Sequence, residues 1–219
     1  MARSTAAPAK PAAPAADTRA TRNTQTRARI KKALIGLIRE KGFDAITVSD
    51  LTRRAGINRG TFYLHFVDKY DLLDQLEAET IGRLEQALLA DSANGVVPLE
   101  ELESFDLFPY EKILQALLIV KEDFDFVAAI AGKGGDAEFS LKLRRIIEGL
   151  LDEGLARSGA RVKTDVFPLE YARELAISHV LCIIDLWLAR GGKESPEKVA
   201  RMVVAAKDVC PGRLVECRR

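Results

Sequence analysis

Between Thr47 and Phe66 the sequence holds two helix starts and one helix stop, and little but a pair of short helices satisfies all three. Thr47-Val48-Ser49-Asp50 reads as a capping box, the Thr hydroxyl accepting an amide of the first turn while Asp50, a short stand-in for Glu, reaches back. A helix therefore starts near Val48 and runs through Leu51 and Ala55. Gly56 ends it, because a residue without Cβ enters the left-handed conformation of a tight turn at little cost. Asn58 then caps a second short helix. In that helix Phe62 and Phe66 lie four apart and share one face, which can pack on Leu51 and Ile57. The opposite face is left with Arg59, Gly60, Tyr63 and Leu64, flanked by Thr61 and His65.

Helical spacing continues on both sides of this unit. Ile30, Ala33, Leu34, Leu37 and Ile38 predict a preceding helix that starts near Thr24 and stops at Gly42. Asp68 caps a following helix from Lys69 to about residue 91. Further helices are expected at about residues 110–121, 124–131, 137–158 and 169–190. A last one starts at Ser195-Pro196-Glu197, with Pro at the first helical position, where its missing N–H costs nothing. No stretch alternates with the two-residue period of a strand. The expected fold is all-α, with about nine helices.

Charge divides the chain where the short helices end. Its net charge of +1 is the sum of two opposed parts. Residues 1–69 hold 14 Lys/Arg against 5 Asp/Glu, a net +9, whereas residues 70–219 hold 19 against 27, a net −8. A basic block of this kind is either a phosphate-binding footprint or a solvated charged surface. Residues 1–23, rich in Ala and Pro, are expected to form a disordered basic arm, since Pro8, Pro11 and Pro14 oppose a helix. This gives three parts: the arm, a module at residues 24–69 and a helical body at residues 70–219. No run approaches the ~20 apolar residues that a membrane-spanning helix needs, and the N-terminal segment has no apolar core of a secretory signal. A cytoplasmic location is expected. Cys182, Cys210 and Cys217 have no metal-ligand spacing and fit a reducing compartment, with a redox pair at Cys210 and Cys217 as an alternative to inert thiols.

A short helix, a Gly-containing turn and a second helix with a small, polar outer face suit the major groove, which admits one helix. Over residues 30–76 the sequence resembles the TetR/AcrR family of transcriptional regulators. The resemblance rests on Thr47-Val48-Ser49-Asp50-Leu51, on the run Ala55-Gly56-Ile57-Asn58-Arg59-Gly60-Thr61-Phe62-Tyr63-Leu64-His65-Phe66, and on Asp68-Lys69 with Leu72-Leu73. It implies that Thr47 and Lys69 clamp phosphates while Arg59, Gly60, Thr61, Tyr63, Leu64 and His65 face the DNA. Chemistry adds a reason for each. Lys69 lies at a helix N-terminus, which favours an anion. Tyr63 can reach a phosphate; Thr61 can do the same or touch a thymine methyl. The planar fork of Arg59 matches guanine O6 and N7, with a phosphate contact as the alternative. Gly60 lets the backbone approach DNA or avoids a clash with a neighbouring helix. Leu64 stands where a polar residue is common in the family, and either meets a thymine methyl or packs on the adjoining helix. His65 reads a base or satisfies a local hydrogen bond. Asn58, where Ser or Thr is frequent, caps equally well.

The family's C-terminal domains diverge, so the body is read mainly from pattern. Ala172, Leu175, Ala176, His179, Cys182, Ile183, Leu186 and Trp187 form a wide apolar face, and Val199, Met202, Val203 and Ala206 line the last helix. In the family the two final long helices build a four-helix bundle with a second copy, which implies a homodimer on a near-palindromic operator in double-stranded DNA. An apolar cavity in the body would let a small apolar effector select between DNA-competent and incompetent forms. Phe105, Phe108, Phe124, Phe126, His179 and Trp187 are candidate lining residues, with plain core packing as the alternative for each. The resulting expectation is a repressor released by a small molecule, with no cofactor and no metal. An enzyme finds no support in two histidines, no Gly-rich phosphate loop and no Cys/His pair at metal spacing. An activator without an inducer, or a helical interaction protein, remains as the alternative; the latter would not need a basic outer face at Arg59.

Overall fold

The computed structural model describes residues 16–89, 108–158 and 168–206, with side chains from residue 23 onward in the first helix and to residue 156 in the seventh. Among these residues there are nine helices and no strand: α1 (Ala16–Lys41), α2 (Val48–Ala55), α3 (Arg59–Tyr63), α4 (Lys69–Leu89), α5 (Tyr110–Glu122), α6 (Phe124–Ile130), α7 (Ala137–Ser158), α8 (Leu169–Ala189) and α9 (Pro196–Ala205). The all-α expectation therefore holds, and most boundaries fall within a residue or two of those expected from spacing. The start of α1 differs. It lies at Ala16, inside the stretch expected to be a disordered arm. After Pro14 no Pro or Gly interrupts the chain before Gly36, and extending an existing helix costs far less than nucleating one.

Local signals form the N-terminal elements as their residue types dictate. The Thr47 Oγ1 accepts from the Asp50 amide at 3.2 Å, and the Asp50 carboxylate accepts from the Thr47 amide at 3.1 Å, closing the capping box. Gly56 takes φ +61°, ψ 42°, and its carbonyl accepts from Arg29 Nη2 at 2.8 Å, so the left-handed turn is fastened to α1. A Cβ at Gly56 would meet only the mobile end of the Arg29 side chain, so the left-handed φ, not space, is the reason for glycine there. Asn58 Oδ1 accepts from the Thr61 amide at 2.7 Å, and Asp68 Oδ1 accepts from the amides of Tyr70 and Asp71, both at 2.8 Å. Phe62 and Phe66 are buried with ring centroids 5.6 Å apart, over a core of Ile30, Leu34, Leu51 and Leu72. Full burial of one such ring is worth about 1.5–3 kcal/mol.

α4 carries the chain from this module into the body, where it packs on α5 and α7; α9 packs on α5 and α8, and α1 on α2 and α6. The two halves also meet at a turn-to-turn contact. The Phe43 amide donates to the Gly134 carbonyl at 2.8 Å, and Gly134, at φ +83°, approaches Gly42 so closely that a Cβ would stand 3.1 Å from its Cα. At the far end of α4 the buried ammonium of Lys112 donates to the Leu88 carbonyl at 2.8 Å and pairs with Glu153 at 3.0 Å, so its charge is compensated.

Candidate nucleic-acid interface

α3 places one face inward and one outward. Phe62 is its buried anchor, and around it Arg59, Gly60, Tyr63 and Leu64 are exposed while Thr61 and His65 are half-buried. Leu64 is 84% exposed, which removes packing on the adjoining helix as its role. Gly60 does not avoid a neighbouring helix either, because the nearest atom to a Cβ there is its own N-cap oxygen, Asn58 Oδ1, at 3.3 Å. The Thr61 hydroxyl donates to that oxygen at 3.0 Å. His65 lies against the Phe66 ring, with centroids 6.0 Å apart.

The guanidinium of Arg59 reaches back across the turn and donates to Ser49 Oγ at 2.6 Å. This joins the first turn of α2 to the outer face of α3, and makes Ser49 a member of the surface that sequence reading did not single out. Val67 and Tyr70 are further members, 77% and 57% exposed. Val67 follows the buried Phe66 and Tyr70 follows Lys69, so both fall in the gaps between the runs that carry the motif.

The flanking residues are engaged in this DNA-free form. Thr47 is exposed, and its hydroxyl is shared with Asp50 in the cap. Asp50 also accepts from Lys41 and Arg53, each at 2.6 Å. Hydrogen bonds from Lys41 and then Thr47 hold its carboxyl well below the usual carboxylate range. The ammonium of Lys69 donates to the carbonyls of Asp44 at 2.8 Å and Phe43 at 3.2 Å, and lies 4.9 Å from the centroid of the Phe43 ring.

The basic charge of the module is spread differently from what composition suggests. Arg27 pairs with Glu79 on α4 at 2.6 Å, Lys31 pairs with Asp123, and Arg39 pairs with Asp125 on α6 at 2.6 Å. Arg54 pairs with Glu40. Much of the +9 thus fastens helices to one another, partly across the boundary to the acidic body. A count along the chain cannot separate such fasteners from the cations near α3.

In the body, an apolar cavity of about 50 Å³ opens between α4, α5, α7 and α8, with Leu84, Leu88, Ile113, Leu117, Ile147 and Leu188 in its wall. None of the aromatic candidates among the described residues lines it. Phe108, Phe126 and Trp187 are buried core, and Phe124 is half-buried against Trp187 at 5.4 Å between centroids. His179 meets Phe108 edge-on at 5.7 Å, and burial pushes its pKa down. Trp187 borders a separate, more open depression with Ile183, Leu186 and Met202. Phe105, Cys210 and Cys217 lie outside the described residues, and Cys182 is exposed. The aromatics fill the core because large flat rings cover the most area there, whereas the cavity lies where aliphatic chains leave a gap.

Two short helices joined through a left-handed glycine, with the second anchored by Phe62 and outwardly open, define a helix-turn-helix DNA-binding protein. Residues 30–76 match the family described as bacterial regulatory proteins, tetR family. An uncharacterized HTH-type transcriptional regulator of Bacillus subtilis strain 168, YxbF, is 32% identical over 80 residues, 36% of this chain and 21% of that protein. The fatty acid metabolism regulator protein of the same organism is 23% identical over 181 residues, 75% of this chain and 84% of its own length. The crystal structure of a TetR transcriptional regulator from Streptococcus agalactiae 2603V superposes with a TM-score of 0.57 at 21% identity, over 88% of this chain and 98% of that one. Matches to YxbF and two further B. subtilis regulators span 17–34% of those proteins' lengths. The match to the tetR family thus covers the helix-turn-helix module and the start of α4. The proteins it resembles are regulators and not enzymes.

Proposed function

We propose that this regulator is a repressor that binds a near-palindromic operator as a homodimer, in the cytoplasm, and is released from it by a small apolar effector. The observation that carries the DNA-reading part is the outer face of α3, where Arg59, Tyr63 and Leu64 are exposed and none of them holds the core together. In this reading Arg59 reads a base, Gly60 and Thr61 let the helix sit close to the backbone, Tyr63 meets a phosphate, Leu64 meets a thymine methyl, and His65 borders the contact. Thr47 and Lys69 close on phosphates at the two ends. Lys69 has to give up its two carbonyl partners to do so, or else the amides at the start of α4 make the contact in its place.

Dimerisation through α8 and α9 is supported by exposed apolar side chains on those helices, namely Tyr171, Leu175, Leu186 and Met202. The cavity beside α4 supports effector control, since α4 begins at Lys69 in the DNA-binding module and ends at the cavity wall at Leu84 and Leu88. A ligand bound better by one spacing of the two modules shifts the population toward it.

Genome-wide binding followed by footprinting tests the central reading. A protected near-palindrome upstream of the genes it silences is the expected result. Failure of the purified protein to bind any duplex at low salt would remove it.

A further inference from the structure

The cavity wall is aliphatic except at one place. Asp185 lies on α8 among Leu181, Ile184 and Leu188, all of which also line the cavity. The residue is exposed, so it stands at the mouth, yet its carboxyl has no hydrogen bond or ion pair among the described residues. Other acids on α7 and α8 have partners. Glu174 is bonded to Arg144 and Ser178, Asp152 pairs with Arg173, and Glu153 pairs with Lys112. Asp185 alone is set against an apolar gap, and the apolar wall pushes its pKa up by desolvation.

We propose that Asp185 makes this cavity selective for a lipophilic amine, with the aliphatic part in the gap between α4, α5, α7 and α8 and the ammonium on the Asp185 carboxylate. This rests on the effector reading above and narrows it to one chemical class. The physical reason is complementarity of sign. A carboxylate at an apolar mouth repels an anionic head and gains little from a neutral one, whereas a cation supplies the partner that the protein withholds. The about 50 Å³ of free space is well below the roughly 150 Å³ that accommodates a benzene ring, so the fitting tail is a short, flexible aliphatic chain.

The test is calorimetric titration of the full chain with n-propylamine, 1-propanol and propanoate, repeated on Asp185→Asn and on the gap-filling Ala116→Leu in the α5 wall of the cavity, with operator release measured alongside. Wild type should bind propylammonium about tenfold more tightly than propanol, and propanoate more weakly than either. Asp185→Asn should erase the preference for the amine and leave propanol binding within about twofold. Ala116→Leu should weaken all ligands that bind wild type. A preference that survives Asp185→Asn, or propanoate binding as well as the amine, overturns the assignment of Asp185 while Ala116→Leu still upholds the cavity as the effector site. Amine binding unchanged by Asp185→Asn with a weakened dimer places the carboxyl at the contact between copies and also overturns it. No binding of any probe to wild type, or binding indifferent to Ala116→Leu, removes the cavity reading itself and this inference with it.

Discussion

The module of α1 to α3 and the body of α5 to α9 are both helical, but they are specified at different ranges. In the module the helix caps and the α3 anchor are closed by residues within four positions of each other: Thr47 with Asp50, Asn58 with Thr61, Phe62 with Phe66. In the body the decisive contacts are distant, such as Lys112 with Glu153, Lys142 with Glu77 and Arg144 with Glu174. Short-range chemistry can be read from spacing. Long-range chemistry depends on which helix faces meet, and many arrangements satisfy the same apolar pattern.

The comparison can be broken most forcefully at Phe62. Phe62→Ala should cost about 3–5 kcal/mol in chemical denaturation and abolish operator binding, because the ring is the only fully buried side chain of α3. If DNA binding survives, α3 does not depend on its local anchor. Arg59→Ala should leave stability within about 0.5 kcal/mol, yet relax selectivity at one base position by about 1–3 kcal/mol. An unchanged binding motif in a selection experiment would contradict the assignment. At the joint between the halves, Gly134→Ala combines a positive φ with close approach to Gly42, and should lower stability by about 1–3 kcal/mol. A larger fall in operator affinity than in stability would show that the joint also sets the module's orientation.

Smaller effects separate the halves by the sign of their pH response. Asp50 titrates below its ordinary value, so its contribution is present above that value and is lost as the pH falls through the folded one. Glu77, fully buried on α4, is pushed up by burial although Lys142 opposes this, so its contribution is present at acid pH and lost as the pH rises through the folded value. Asp50→Asn should therefore flatten the acid limb of a melting-temperature profile, and Glu77→Gln the limb above about pH 4.5. Identical profiles for the two variants would erase this difference. Lys69→Ala should weaken binding to all duplexes alike and reduce the salt slope by about one. An unaltered slope would mean that Lys69 keeps its hold on Phe43 and Asp44 when DNA is bound.

The candidate interface was legible to the extent that it is local. Thr47, Gly56, Asn58 and the spacing of Phe62 and Phe66 determined two helices, the turn between them and the identity of the outward face, because caps and left-handed turns accept few residue types. Pattern also marked α5 to α9 as helices. Only the tertiary structure decided which cations fasten helices to the body, as Lys31 and Arg39 do, and which stand near α3. It also decided that the aromatics of the body are core while the cavity falls among Leu, Ile and Val beside Asp185. Periodicity reports that a face is buried. Where packing closes and where it leaves a gap depends on how several faces interlock, and no single segment carries that information.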